Sequence, residues 1–268
     1  VSDPAVVAVA AIALAGLGLL VGSFLNVVIA RVPEGRSVVR PRSACPSCQA
    51  PIAARDNVPV LSWLVLRGRC RSCRTPIPVR YPLVEGATAV LWLGLGAWAL
   101  AADRLPLLPL LLVLGSAGLA LAVIDLDHHR LPDAIVLPLY PVTAAGLVLA
   151  GVLEGSWPLG AVALGVLAWL VPIGGIFVVS GGRGMGFGDV KLAPVLGATL
   201  GWVAVSAAVV GVLAGFVLGA VVGIALVLGR RAHRRSHLAF GPFLLAGALV
   251  GLLAGPALAD AYLGWALG

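Results

Sequence analysis

Five carboxylates, Glu85, Asp125, Asp127, Asp133 and Asp189, stand at or near the ends of long apolar runs in a chain of 268 residues that has only 11 acidic side chains. An ionisable residue within a membrane span costs roughly 2.5–3.5 kcal/mol at the helix centre on insertion scales and less near the interface, so carboxylates kept at that boundary call for a functional explanation. Asp125 follows directly on an apolar run and is the most deeply placed. Asp127 also reads as a solvated turn residue, and Asp133, after a proline and before an apolar run, also reads as a helix N-cap. Five glycines between 181 and 188 form a loop in which backbone can approach backbone closely, and Gly186-Phe187-Gly188-Asp189 delivers Asp189 to a helix start, where it too has an N-cap reading. Two carboxylates brought together in a partly dry site share one proton. The ionised one then takes a proton from water while the protonated one polarises a scissile carbonyl, which is aspartic protease chemistry and needs no metal.

The four cysteines stand as Cys45-Pro-Ser-Cys48 and Cys70-Arg-Ser-Cys73, two C-x-x-C pairs separated by 21 residues. Each pair offers two thiolates from one tight turn, and two such turns complete a tetrahedral S₄ site suited to Zn²⁺. Two disulfides or free thiols are the other reading, and disulfides do not suit a segment on the reducing side of a membrane. With four protein ligands the site is closed, so its metal is expected to be structural. Val58, Val60, Leu61, Trp63 and Leu64 are the main apolar residues of this segment and cannot build much of a core, which leaves metal to supply the missing stability.

The elements that must position these groups are membrane helices. Hydrophobic residues make up 60% of the chain and charged ones 11%, against about 25% charged in an ordinary soluble domain. Backbone amides in lipid must be paired within the segment or in a closed barrel, and the apolar runs show no period-2 alternation, which leaves helices. Runs at 5–30, 83–101, 107–125, 133–152, 158–180, 190–201, 203–229 and 240–262 predict an all-α polytopic membrane protein with about eight transmembrane helices, the sixth short, and a small cytoplasmic zinc-ribbon-like insertion. The first run lacks a basic n-region and a small-residue cleavage site, so it is expected to be a retained helix. The expected organisation is a first transmembrane helix at 1–31, a four-cysteine zinc-binding domain at 32–80 and a membrane-embedded domain at 81–268.

Net charge is +7, and ten arginines fall from Arg31 to Arg80, with four more at Arg230, Arg231, Arg234 and Arg235. The positive-inside rule places both segments in the cytoplasm, and threading the spans then puts 125–133 and 181–189 on the same side. Arg104 and Asp103 fall outside, as does Glu154. The arginines read as topology determinants facing anionic lipid headgroups rather than as a nucleic-acid surface.

In this order the motifs resemble the prepilin peptidases, or type IV leader peptidases, of the G-x-G-D membrane aspartyl protease class. The resemblance runs through Gly22-Ser23-Phe24-Leu25-Asn26-Val27-Val28, Pro41-Arg42-Ser43 before the first C-x-x-C, Leu66-Arg67-Gly68 before the second, Arg80-Tyr81-Pro82-Leu83-Val84-Glu85, the segment from Asp125 to Asp133, and Gly186-Phe187-Gly188-Asp189-Val190-Lys191-Leu192. Pro78 and His128-His129-Arg130 depart from the usual pattern. The resemblance implies that Asp125 and Asp189 are the catalytic pair of an aspartic endopeptidase in the bacterial inner membrane. It further implies cleavage of type IV prepilins or pseudopilins after a glycine, at the cytoplasmic end of a hydrophobic helix. Members with the four-cysteine domain commonly also methylate the new N-terminus with S-adenosylmethionine, although the chain has no glycine-rich Rossmann fingerprint.

Other classes fit less well. There is no H-E-x-x-H for a zinc protease and no G-x-S-G for a rhomboid-like serine protease. A transporter would place its acids mid-span rather than at one face. An assembly scaffold that binds pilins without cutting them would have no need of both Asp125 and Asp189.

Overall fold

The computed structural model describes residues 3–229 and 239–267, so the basic cluster of Arg230, Arg231, Arg234 and Arg235 lies outside the described residues. Among the described residues the regular structure is helical apart from two isolated β-bridges. The α-helices are α1 (Pro4–Arg31), α2 (Leu61–Val65), α3 (Arg80–Ala101), α4 (Leu108–His128), α5 (Asp133–Glu154), α6 (Leu159–Ser180), α7 (Phe187–Val203), α8 (Val205–Leu228) and α9 (Gly241–Leu267). Seven of them, all except α2 and α7, are long and apolar enough to cross a membrane. The short sixth run is α7, a 17-residue helix that extends beyond the apolar run at both ends.

Two compact units divide the chain, Val1–Ala120 and Leu121–Gly268. In lipid no hydrophobic force drives helices together, so close backbone approach and interhelical hydrogen bonds must do it. In the first unit α1 packs on α3 through Gly18 and Gly22; a Cβ on Gly22 would lie 2.6 Å from Glu85 Cα. The buried Asn26 amide completes the contact, donating to the carbonyls of Gly22 at 3.4 Å and Tyr81 at 3.2 Å. Between α1 and α3 the chain builds the four-cysteine module from two turns of the same construction. Cys45 N–H donates to Ala50 O and Gln49 N–H to Cys45 O, and in the second turn Cys70 N–H donates to Thr75 O and Arg74 N–H to Cys70 O. The residue after the second cysteine is left-handed in both, Gln49 with φ 58° and Arg74 with φ 62°.

In the second unit α6 crosses α7 where Gly165 meets Gly197 and Gly201, and α8 crosses α9 where Gly211 and Gly215 meet Gly247 and Gly251. Trp169, fully buried on α6, donates its indole N–H to Ala208 O on α8 at 2.8 Å. One extended residue, Ala204 (φ −169°, ψ 151°), separates α7 from α8 in what would otherwise be a single apolar run.

Candidate functional site

Helix α4 outlasts its apolar run. The apolar residues stop at Ile124, but helical bonding continues through Asp125 to His128, and His129 N–H closes on Asp125 O at 2.8 Å. Asp125 therefore lies within the last turn of a helix, with 5% of its surface exposed. Its Oδ2 accepts the backbone N–H of Gly241, the first residue of α9, at 3.0 Å. A Cβ at position 241 would lie 2.8 Å from that same oxygen and 3.2 Å from Leu131 Cδ2.

Asp189 is the third residue of α7, not its N-cap, which is Gly186. Its Oδ2 reaches back to accept Gly186 N–H at 3.1 Å, the carboxylate half of a capping box. Its Oδ1 is buried with no hydrogen-bond partner among the described residues. The turn bearing Asp189 also touches Leu131, since a Cβ on Gly188 would lie 2.8 Å from Leu131 Cβ. The starts of α7 and α9 thus meet on the α4–α5 connection, which brings together the segments that bear the two carboxylates.

The other two aspartates of the first segment part company with this pair. Asp127 is exposed at the end of α4. Asp133 begins α5 behind an N-cap supplied by Pro132, and its carboxylate, instead of capping, takes Lys191 Nζ on both oxygens at 2.7 and 2.8 Å. Tyr140 on α5 donates its hydroxyl to Lys191 O at 2.7 Å, so the first turns of α7 are tied to α5 at two points. Lys191 Nζ also stands 4.6 Å from the Phe187 ring centroid, within cation–π range. Lys191 as an anchor and Gly241 N–H as a donor to Asp125 were not singled out in the sequence. Gly241-Pro242 before an apolar run does carry a helix-start signal, but nothing local names a partner across the chain.

Glu85, in the second turn of α3, is buried and accepts Val60 N–H on Oε2 at 2.7 Å. Its partner is the backbone of the four-cysteine module.

The four cysteine sulfurs lie within 4.8 Å of one another, with Cys45 Sγ and Cys73 Sγ 3.7 Å apart, and none is in a disulfide. Tetrahedral Zn²⁺ with Zn–S bonds of about 2.3 Å requires sulfurs about 3.8 Å apart, so the donor set fits that ion. Hydrogen bonding by the Thr75 side chain, then its backbone, draws the Cys73 thiol down to about 6. Backbone N–H groups at Cys48 and Ser47 lower Cys45. Cys48 is pushed up to about 11, the helpful backbone bond at Ala50 being outweighed by the neighbouring sulfurs, Cys73 foremost, and by burial. A cation at the centre reverses that last effect, because four crowded thiolates repel one another until a metal neutralises them. Nearby, Arg71 grips Asp56 with two nitrogens at 2.6–3.1 Å and holds that carboxyl below its usual range.

Comparison with known proteins follows the same division. The family model described as "Bacterial Peptidase A24 N-terminal domain" matches residues 17–99, and that of the "Type IV leader peptidase family" matches residues 112–224. A protein of Aeromonas hydrophila named prepilin leader peptidase/N-methyltransferase is 39% identical over 273 residues, covering 91% of each chain. Proteins of the same name from Neisseria gonorrhoeae, 38% identical over 91% of this chain and 90% of theirs, and from Pseudomonas aeruginosa, 36% identical over 93% and 92%, are similar along nearly their whole length. No solved structure matches the chain.

Proposed function

Because this chain belongs to the type IV leader peptidase family, we propose that it cuts the short leader from type IV prepilins or pseudopilins after a glycine, with Asp125 and Asp189 as its catalytic pair. The observation that supports this reading is a pair of buried carboxylates, each already holding one backbone N–H, beside two helix starts that meet on Leu131.

The two aspartates are not equivalent. Asp125 faces the N-terminus of α9, whose free N–H groups and dipole favour a negative charge. Asp189 carries a buried oxygen with no donor among the described residues, and leaving such an oxygen unpaired costs about 1–3 kcal/mol. A proton on Asp189 Oδ1 removes that deficit by turning the oxygen into a donor. In the reaction Asp125 takes a proton from water, the resulting hydroxide forms the new bond to the scissile carbonyl carbon, and Asp189 gives its proton to the carbonyl oxygen. Collapse of the tetrahedral species breaks the C–N bond while one of its hydroxyls returns a proton to Asp189, and the proton held by Asp125 passes to the leaving amine. That amine is the new N-terminus of the pilin helix. As in the relatives named for both activities, its methylation would consume S-adenosylmethionine as a second substrate.

In this reading Cys45, Cys48, Cys70 and Cys73 hold a structural Zn²⁺ that closes the 32–80 module. With all four positions filled by thiolate it has none to offer substrate. The protein is a multi-pass inner-membrane enzyme, and the ten arginines from Arg31 to Arg80 favour the cytoplasmic side for the module and the aspartate pair. A transporter is disfavoured by both acids lying in terminal turns of their helices.

The test is incubation of the purified protein in detergent with a prepilin and S-adenosylmethionine, beside Asp125→Asn and Asp189→Asn, with the product N-terminus read by mass spectrometry. Cleavage after the leader glycine by the parent alone is expected, with one added methyl. Cleavage retained in either variant would remove that aspartate from the mechanism.

A further inference from the structure

Helix α2 in the four-cysteine module is built inside out for a domain surrounded by water. Its inward side carries Trp63, whose indole N–H donates to Ile77 O at 3.1 Å and whose ring would lie 2.8 Å from a Cβ at Gly68. Ser62 also points to protein, its hydroxyl bonding Arg55 O and Val58 N–H at 3.0 Å each. The opposite face, at i, i+3 and i+4, is Leu61, Leu64 and Val65, exposed by 61%, 56% and 75%, and Val58 continues it one turn back. The outer face of a surface helix in water is ordinarily its polar one.

What lies opposite this face follows from where α2 is held. Val60, the residue before it, donates its N–H to Glu85 Oε2 at 2.7 Å. Glu85 is the sixth residue of the spanning helix α3, so it lies about 7.5 Å along the axis from Arg80 at 1.5 Å per residue. Tyr81 stands between them, at the depth where aromatic side chains collect at membrane–water boundaries. The tie is a fixed one: Val60 has φ +59°, a conformation that a β-branched residue keeps only where its surroundings over-determine it. Two exposed arginines stand close to α2, Arg67 one residue beyond its end and Arg55, whose carbonyl accepts the Ser62 hydroxyl.

We infer that α2 lies in the membrane surface, with Val58, Leu61, Leu64 and Val65 in the headgroup–acyl boundary of an anionic bilayer and Arg55 and Arg67 on its phosphates. Apolar anchors with cationic flanks are the signature of in-plane membrane helices. The four-cysteine module is then docked on lipid at the mouth of α3 rather than suspended in water.

The test replaces Leu64 with p-benzoylphenylalanine in the full chain, reconstituted in nanodiscs of phosphatidylcholine with or without phosphatidylglycerol, and identifies photoproducts by mass spectrometry. The same residue at the exposed Gln49, on the first cysteine turn, is the control. Lipid adducts at position 64 but not 49, increased by phosphatidylglycerol, are expected. Equal adducts at both positions, no lipid adduct at 64, or a crosslink from 64 to a second copy of the chain would overturn the docking, and indifference to phosphatidylglycerol would overturn the part given to Arg55 and Arg67.

Discussion

Gly241 donates its backbone N–H to Oδ2 of Asp125 across 116 positions of sequence. The bond gives the two acids different surroundings: one oxygen of Asp125 is held by a helix start, while one oxygen of Asp189 is buried without a donor among the described residues. Two carboxylates in unlike settings can divide the roles of base and acid, which a symmetric pair would have to settle by proton exchange.

Gly241→Ala tests that division. The new Cβ would lie 2.8 Å from Asp125 Oδ2, with Leu131 behind it, so the carboxylate must move. A displacement of about 1 Å at a reacting group costs on the order of a hundredfold in rate. Prepilin cleavage by this variant should show a kcat lowered about tenfold to a hundredfold with KM little changed, and with Asp189 still required. A kcat equal to the parent's would show that the α9 contact has no part in the chemistry.

Lys191 and Asp133 form the second clamp on the pair. Asp133 is more than half exposed, so the ion pair itself contributes under about 1 kcal/mol to stability. Its larger effect should be on the placement of α7, whose third residue is Asp189. Lys191→Met and Asp133→Asn should each lower kcat by several-fold while shifting the thermal midpoint little, and the double variant should be no slower than the slower single one. Additive losses would mean that the two residues act apart.

Most of the membrane architecture was legible because lipid demands long apolar helices, and one helix end was missed where polar residues prolong a helix past its apolar run, at Asp125-Leu126-Asp127-His128. The pairing of the cysteines was legible because C-x-x-C fixes two donors in one turn. The N-cap reading of Asp133 fails because Lys191, 58 residues away, offers it a charged partner. Glu85 and Gly241 were opaque for a related reason: what each does depends on a backbone group elsewhere in the chain, Val60 N–H for one and an aspartate oxygen for the other.

The four-sulfur site should hold one Zn²⁺ per chain, and Cys45→Ser should remove it. Peptidase activity should survive better than the fold of the 32–80 module, because a closed S₄ site has no position for substrate. Metal content by mass spectrometry and protease sensitivity of the module are the readouts; a variant with full metal content would exclude Cys45 as a ligand.

Acid should release that metal. Each ligand must lose its proton to bind, so affinity falls as pH falls, and the thiol held lowest, Cys73 at about 6, is the last to be protonated. Transfer of zinc to a chromophoric chelator should therefore speed up as the pH falls. A transfer rate that does not change between pH 7.5 and 5.5 would argue against a thiolate site.

The crossing of α6 and α7 sets how firmly Asp189 is carried. A Cβ on Gly197 would run into the carbonyl carbon of Gly165 and Val166 Cα, each at 2.9 Å, and these are backbone atoms that no rotamer change can clear. Gly197→Ala should therefore destabilise the protein by about 1–3 kcal/mol, the usual cost of overpacking. Gly175→Ala on α6 has open space around its Cβ and should be neutral or stabilising, since alanine is the better helix former by up to about 1 kcal/mol. Thermal midpoints of the two variants in the same detergent make the comparison, and because α7 bears Asp189, cleavage should fall with Gly197→Ala alone. Equal midpoints would mean that the two helices are not held by backbone contact at this crossing.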